Sequence, residues 1–363
     1  MVRAKIRMPR GMGMLTNPRR ALYNRVYNRT SVSIDQLIKG KPHSVSQSNF
    51  MNTTPSYSKG IQTDNMGNII RSSSKALTVT SKNFEELRNQ ITEIYTQREA
   101  LLKRLNSAKA KLLGVTLIHV ASYIVIVGFF YKRIAEIRVE QKVVVNDLEK
   151  EIAETFVALN FADKSQLEKS WLNCVDAFAE LMKSEKIWDL TYAEDIDRVK
   201  ARTTAKTVTK RTIVTLSERK IEFIKSDLPY LFLPNANGPD LFFYPTFLLL
   251  FKDNEKFGLF DLKEISGKFE LTRYIEEEKV PGDTEIINYT WKKSNKDGSK
   301  DKRYNGNYQI PVVKYGDVSL TTETGLEEEY MFSNFEAFVE FGKAFQNHLQ
   351  ILEKYGNISK KER

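Results

Sequence analysis

Leu112–Tyr131 reads LLGVTLIHVASYIVIVGFFY, twenty residues without one charged side chain. At ~1.5 Å per residue, a helix of that length matches the ~30 Å hydrocarbon layer of a bilayer. Cations bracket it, with Lys103, Arg104, Lys109 and Lys111 before and Lys132 and Arg133 after. Tyr131 falls where an amphipathic ring rests among lipid headgroups. The stretch therefore predicts a transmembrane helix over 112–131. The competing reading is a fully buried core helix, but such helices are usually shorter.

On its N-terminal side, Phe84, Leu87, Ile91, Ile94, Arg98, Leu101, Leu105, Ala108 and Leu112 recur in steps of three and four. That 3.5-residue repeat is the signature of a coiled-coil seam, apolar everywhere except Arg98. Running straight into the apolar stretch, it predicts one continuous rod: a stalk over 82–111, then the membrane helix. Its seam offers a homo-oligomer contact through the 84–112 heptads, with Arg98 weakening and registering the pairing. The other possible partner is the chain's own second helical segment. Residues 1–81 are polar and basic, carrying fourteen Lys/Arg against Asp35 and Asp64 up to Phe84. They predict a mostly disordered arm suited to anionic lipid.

On the C-terminal side, the reading is a helical neck over 132–197. Val145, Leu148, Ile152, Thr155 and Leu159 carry the repeat to about Asn160, and a second helix starts near Asp163 with Ser165 and Glu168 spaced as a capping box. Leu167, Trp171, Val175, Phe178 and Leu181 form that helix's apolar stripe. Stretches rich in Ile, Val, Phe, Tyr and Thr then predict strands. They are TIVTL (212–216), KIEFI (220–224), LFFYPTFLLLF (241–251), FGLFDL (257–262), EIINYTW (285–291) and YQIPVVKYG (308–316), with a hairpin turn at 252–256. Ser333 and Glu336 would cap a last helix whose Phe335, Phe338, Phe345, Leu349 and Leu352 face the sheet, and Gly356 would end it. The fold class is α+β: a mostly antiparallel β domain over 198–356, closed by a helix and followed by a tail over 357–363.

The formal charge of +10 belongs to the arm, and from Lys132 onward the balance is about −4, so the body has no global basic field for nucleic acid. The lone Cys174 excludes an internal disulfide, and with His43, His119 and His348 it offers no zinc spacing. The first thirty residues lack the apolar core of a secretory signal. No phosphate-binding Gly-rich loop or nucleophile elbow occurs, and no cofactor is expected.

Two patterns bear on chemistry. Pro239-Asp240 followed by Asp261-Leu262-Lys263 has the spacing of nucleases in which two carboxylates hold Mg²⁺ and a lysine activates water, with Glu222 as a third acid. On one strand Asp261 and Lys263 would share a face. The same residues also make ordinary hairpin and turn chemistry. The second pattern is TWKKSNKDGSKDKRYNGNYQIPVVKYG (290–316), a tight turn at 295–298 whose tip carries Lys292, Lys293, Lys296, Lys300, Lys302 and Arg303 between Trp291, Tyr304 and Tyr308. Trp291, Lys293, Lys296, Lys302, Arg303 and Tyr304 are the candidate ligand contacts of a 292–304 loop, for a protein or nucleic-acid partner. The plainer reading is an extended hairpin anchored by its aromatics.

That second segment also carries a resemblance. The run W-x-x-x-N-K-D-G-S-x-D-x-R, then Asn307-x-Gln309-Ile310-Pro311 and Tyr315-Gly316, resembles the C-terminal module of a broad group of bacterial, often membrane-associated proteins without an assigned activity. Glu278–Pro281, Thr324–Leu326 and Ser333-Asn334 fit the same pattern, and the likeness covers roughly 197–334. It implies a bacterial, membrane-linked origin, transfers no catalytic residue, and leaves Asp301 and Arg303 as an ion pair within the hairpin. The resulting expectation is a non-enzymatic, single-pass protein of the bacterial cell membrane, touching lipid, oligomeric through its stalk and undecided in orientation. The alternatives are a membrane-tethered Mg²⁺ nuclease using Asp240, Asp261 and Lys263, or a membrane-acting phage-defence effector.

Overall fold

The computed structural model describes residues 31–33, 62–63, 69–70, 73–124, 131–161, 165–195, 207–215, 219–253, 256–295 and 297–361. In chain order its elements begin with β1 (Ser31–Ser33), β2 (Gln62–Thr63) and β3 (Ile69–Ile70), then 3-10 turns at Ser73–Thr78 and Lys82–Phe84. Next come α1 (Glu85–Ile124), α2 (Tyr131–Glu154), β4 (Val157–Asn160), α3 (Ser165–Leu181), β5 (Ile187–Asp195) and β6 (Thr207–Ile213). The strands β7 (Ile224–Ser226), β8 (Leu231–Leu233), β9 (Asp240–Phe243), β10 (Phe247–Phe251) and β11 (Phe257–Asp261) follow. The chain closes with β12 (Ser266–Ile275), β13 (Ile286–Trp291), β14 (Gln309–Thr321), β15 (Glu327–Phe332) and α4 (Phe335–Lys361). Most of the arm predicted to be disordered, and Asp163, lie outside the described residues.

Two compact units result. The first holds α1, α2 and a small parallel sheet, β1-β4-β7. The expected continuity of stalk and apolar run holds as the single helix α1 up to Ile124, but its seam is covered by the chain's own second helix. Leu101, Leu105 and Ala108 of α1 share one buried cluster with Val145, Leu148 and Ile152 of α2, so the two helices fold back on each other as an antiparallel hairpin. Lys109 pairs with Glu149 at 2.7 Å, and Arg138 Nη1 meets His119 Nδ1 at 3.3 Å. The heptad seam is thus filled within the chain, because a second amphipathic segment tethered by a short connection meets it at a far higher local concentration than another subunit. Arg98 does not disturb the seam: its Nη1 donates to the Ile152 carbonyl at 2.7 Å, satisfying the C-terminal end of α2, and its Nη2 pairs with Glu222 at 2.6 Å. The apolar stretch is divided between α1, described to Ile124, and α2, described from Tyr131; residues 125–130 lie outside the described set. Among the described residues no helix is long and apolar enough to cross a membrane.

The second unit is the α+β body, and it is larger than expected. The segment assigned to a helical neck contains β4 and β5. β5 is a central strand because Ile187, Trp188 and Leu190 are buried with it, although Asp189, Glu194 and Asp195 interrupt its apolar pattern. The main sheet runs β12-β14-β15-β5, extended by β3 and β2, with β13 on β14 and β6 on β5. A second antiparallel sheet runs β11-β10-β9-β8. Pro245 splits the predicted LFFYPTFLLLF strand into the β9–β10 hairpin, since proline cannot donate to a central ladder. α4 lies on the main sheet through Phe338, Phe341 and Phe345, which surround Phe269 at ring distances of 5.7–6.1 Å. Its cap is Asn334, whose Oδ1 accepts from the Ala337 N–H, whereas the Ser333 hydroxyl is held by Lys186 and Asp283. Gly356 does not end the helix; it costs about 1 kcal/mol relative to alanine, which a helix already anchored by its buried turns absorbs.

Residues 73–84, assigned to the arm and the start of the stalk, belong to this body as well. Ala76, Leu77 and Phe84 are buried, and the Phe84 ring packs tilted against Phe247 at 5.2 Å between centroids. Ser81 N–H donates to the Leu259 carbonyl at 2.8 Å, and Leu259 N–H to Val79 at 3.2 Å. Gly258 makes this approach possible, since a Cβ there would overlap the Ala76 carbonyl.

Candidate functional site

The loop singled out by its lysines and aromatics is the tip of the β13–β14 hairpin. Cross-strand pairs Trp291↔Gln309, Thr290↔Ile310 and Tyr289↔Pro311 set its base. Above them the chain is tied by its own polar groups. Asn307 accepts from Lys293 N–H at 3.0 Å and returns a bond to the Lys293 carbonyl at 2.7 Å. Asn295 and Ser299 close the turn, Asp297 accepts from both the N–H and hydroxyl of Ser299, and Gly298 takes φ +85°. Asp301 is buried and grips Arg303 through Nε and Nη2, both at 2.9 Å, which is the expected intrahairpin ion pair.

What remains outward is aromatic and cationic. Lys300 sits over the Trp291 ring at 4.8 Å and Lys292 over Tyr308 at 5.6 Å. Tyr289, Tyr304 and Tyr308 are 53%, 40% and 55% exposed, and Lys302 is exposed beside them. Trp291 and Lys293 are half-buried, and Lys296 lies outside the described residues. The ring faces and ammonium groups can meet planar or anionic chemistry without rearranging a backbone that is already closed on itself.

The nuclease constellation is not brought together. Asp240 aligns with Phe251 and, across β10, with Phe257, whereas Asp261 aligns with Phe247. The two acids therefore lie roughly 13 Å apart along the strand direction alone, too far to share a metal ion. Asp240 is bound by Arg219 and by the Asn235 N–H. Lys263 is not on the strand with Asp261 but in a 3-10 turn (Leu262–Glu264) that Asp261 caps, accepting from Lys263 N–H at 3.0 Å. Glu222 is engaged with Arg98. Among the described residues no three metal-binding side chains converge.

Three buried polar groups escaped the sequence reading. Arg211 lies between the Trp188 and Tyr274 rings at 4.4 and 4.3 Å and binds both oxygens of the fully buried Glu276, which also accepts from the Tyr315 hydroxyl at 2.7 Å. Burial opposes charge on Glu276, but Arg211, Tyr315 and the Glu278 N–H together hold its carboxyl below the ordinary range. Asp189 and Glu328 are buried with no cation beside them among the described residues, and desolvation pushes them up to about 6 and about 8. Their hydrogen bonds come from the N–H groups of Ala236 and Ser73. His348 Nδ1 meets the Ser170 hydroxyl at 2.8 Å and its Nε2 donates to the Pro245 carbonyl at 2.7 Å. That serine–histidine pair is sealed in the core and pushed down to about 4 by burial, so it ties α3, α4 and the β9–β10 turn together instead of activating a nucleophile. No local signal marks any of the three, since their partners come from distant parts of the chain. No protein family, curated protein or solved structure matches this chain.

Proposed function

We propose that this chain is a non-enzymatic, membrane-anchored interaction protein whose α+β body presents the β13–β14 tip to an anionic protein or nucleic-acid partner. One observation carries the membrane half: Leu113, Leu117 and Val120 of α1 are 63%, 62% and 53% exposed within a charge-free run, at the i, i+4 and i+7 spacing of a single helix face. Leucine and valine rows of that kind cost solvation free energy in water unless something apolar covers them. Cations at both ends of the run, and the likeness to membrane-associated bacterial proteins, support lipid as the cover. The interaction half rests on a hairpin that leaves Tyr289, Tyr304, Tyr308 and Lys302 outward while Asn295, Asp297, Asp301 and Asn307 bond the turn internally.

Cell fractionation tests the anchor. The full chain is expected in the membrane pellet, released by detergent and retained through high salt; a chain that stays in the supernatant without detergent removes this reading.

A further inference from the structure

We propose that the chain meets the membrane as a helical hairpin that enters and leaves through one face, so that the N-terminal arm and the α+β body share one side, with an anionic lipid leaflet as the ligand of the exposed α1 row. This topology rests on the membrane reading above and replaces a single-pass crossing.

The argument is one of mutual exclusion. A crossing helix over Leu112–Tyr131 would put Lys111 and Lys132 on opposite sides of a ~30 Å hydrocarbon layer. The helices on either side could then not touch. Yet Leu101, Leu105 and Ala108 share a buried core with Val145, Leu148 and Ile152, and Lys109 pairs with Glu149. The flanking chain says the same. Ser81, Asn83 and Phe84, just before the hairpin, are bonded or packed to Leu259, Asp261 and Phe247 of the body that follows it. β1, from the arm, pairs in parallel with β4, the first strand after α2. Every one of these contacts needs both ends of the hairpin in the same compartment.

Charge sets the depth. Lys132, Arg133, Glu136 and Arg138 are exposed on α2, alongside the apolar half of α1. Burying charged side chains at the bilayer centre is strongly disfavoured. The hairpin therefore engages at the headgroup–acyl boundary, on the order of 5–10 Å deep, with Leu113, Leu117 and Val120 toward the chains. Lys109, Lys111, Lys132 and Arg133 stay at the phosphates, their stems able to snorkel.

Bacterial cells expressing the full chain, tagged at both termini, supply the test in three arms. In inverted membrane vesicles both tags are expected to be digested by added protease, and in intact spheroplasts both are expected to be protected; the mirror result also places both termini on one face. One tag digested in each preparation establishes a single-pass crossing and overturns the hairpin while leaving membrane anchoring intact. A chain absent from the membrane fraction overturns both. In the second arm, Ala108→Cys with Val145→Cys locks the hairpin by a disulfide, and the locked chain is expected to pellet with membranes as the reduced one does; release on oxidation overturns the proposal. In the third, purified chain is floated with vesicles of phosphatidylcholine and phosphatidylglycerol. Leu117→Glu with Val120→Glu is expected to lower flotation at least tenfold with unchanged circular dichroism, whereas unchanged flotation, or an α1 row that instead holds a second copy in ultracentrifugation, overturns the lipid assignment.

Discussion

Glu328 is a carboxyl that this body would hold more easily without its charge. Its folded value near 8 lies above the ordinary 4.5, so the folded state binds the extra proton and stability falls as pH rises from about 4.5 to 8. Glu328→Gln keeps an acceptor for the Ser73 N–H and is expected to stabilise by roughly 2–4 kcal/mol at pH 8 and by little at pH 4.5, measured by urea melts at both values. His348 acts in the opposite direction. Its folded value near 4 lies below 6.5, so its contribution is complete above pH 6.5 and is lost as pH falls toward 4, about 3 kcal/mol in all. Replacing it with glutamine should flatten that acid limb. Arg211 makes the third case. Arg211→Met strands a buried Glu276 and is expected to cost about 3–5 kcal/mol, while adding Glu276→Leu should recover much of the loss. If the double variant were as unstable as the single, the stranded carboxylate would not be the cause.

At the scale of elements, the helical hairpin and the sheet–helix contact each depend on one small set of side chains. Leu105→Asp places a charge in the core shared with Leu148 and Ile152, and is expected to abolish amide protection across α1 and α2. Protection in β14 and α4 should persist, a pattern that hydrogen exchange would read directly. Gly316 lies under α4 where any Cβ would overlap the Phe338 ring, so Gly316→Ala should cost about 1–3 kcal/mol through overpacking. Phe338→Leu added to it should return part of that cost. The heptads, Trp171 stripe and α4 stripe were readable because a helix face is a local property with a fixed period. The extra strands β12 and β15 were not, since charged residues such as Lys268, Glu270 and Glu327 to Glu329 break their apolar pattern. Their strand state is set by pairing with β14.

For the whole molecule, the body and the helical hairpin proposed to meet lipid predict separable functions. Lys300→Glu with Tyr308→Ala should weaken capture of an anionic partner at the β13–β14 tip while leaving membrane pelleting and melting temperature unchanged, since both side chains are exposed. Loss of binding that appeared only together with a fall in melting temperature would instead assign them a folding role. The candidate tip was legible in the sequence for a physical reason: turn residues such as Asn295, Asp297 and Gly298 bond to near neighbours, so six consecutive positions suffice to specify the closure. The distances that separate Asp240 from Asp261 depend on how three strands align, and no spacing along the chain contains them.

By itself the chain determined an α+β body, its closing helix, an uncharged twenty-residue run, and a heptad seam with a cation in it. Those are statements about neighbours a few residues apart, where backbone geometry alone decides which side chains share a face. Only the tertiary structure decided what fills the seam, where residues 73–84 pack, and which acids are buried with backbone N–H partners. A periodic apolar face specifies that something must cover it, while the identity of the cover depends on which distant segment the fold brings within reach.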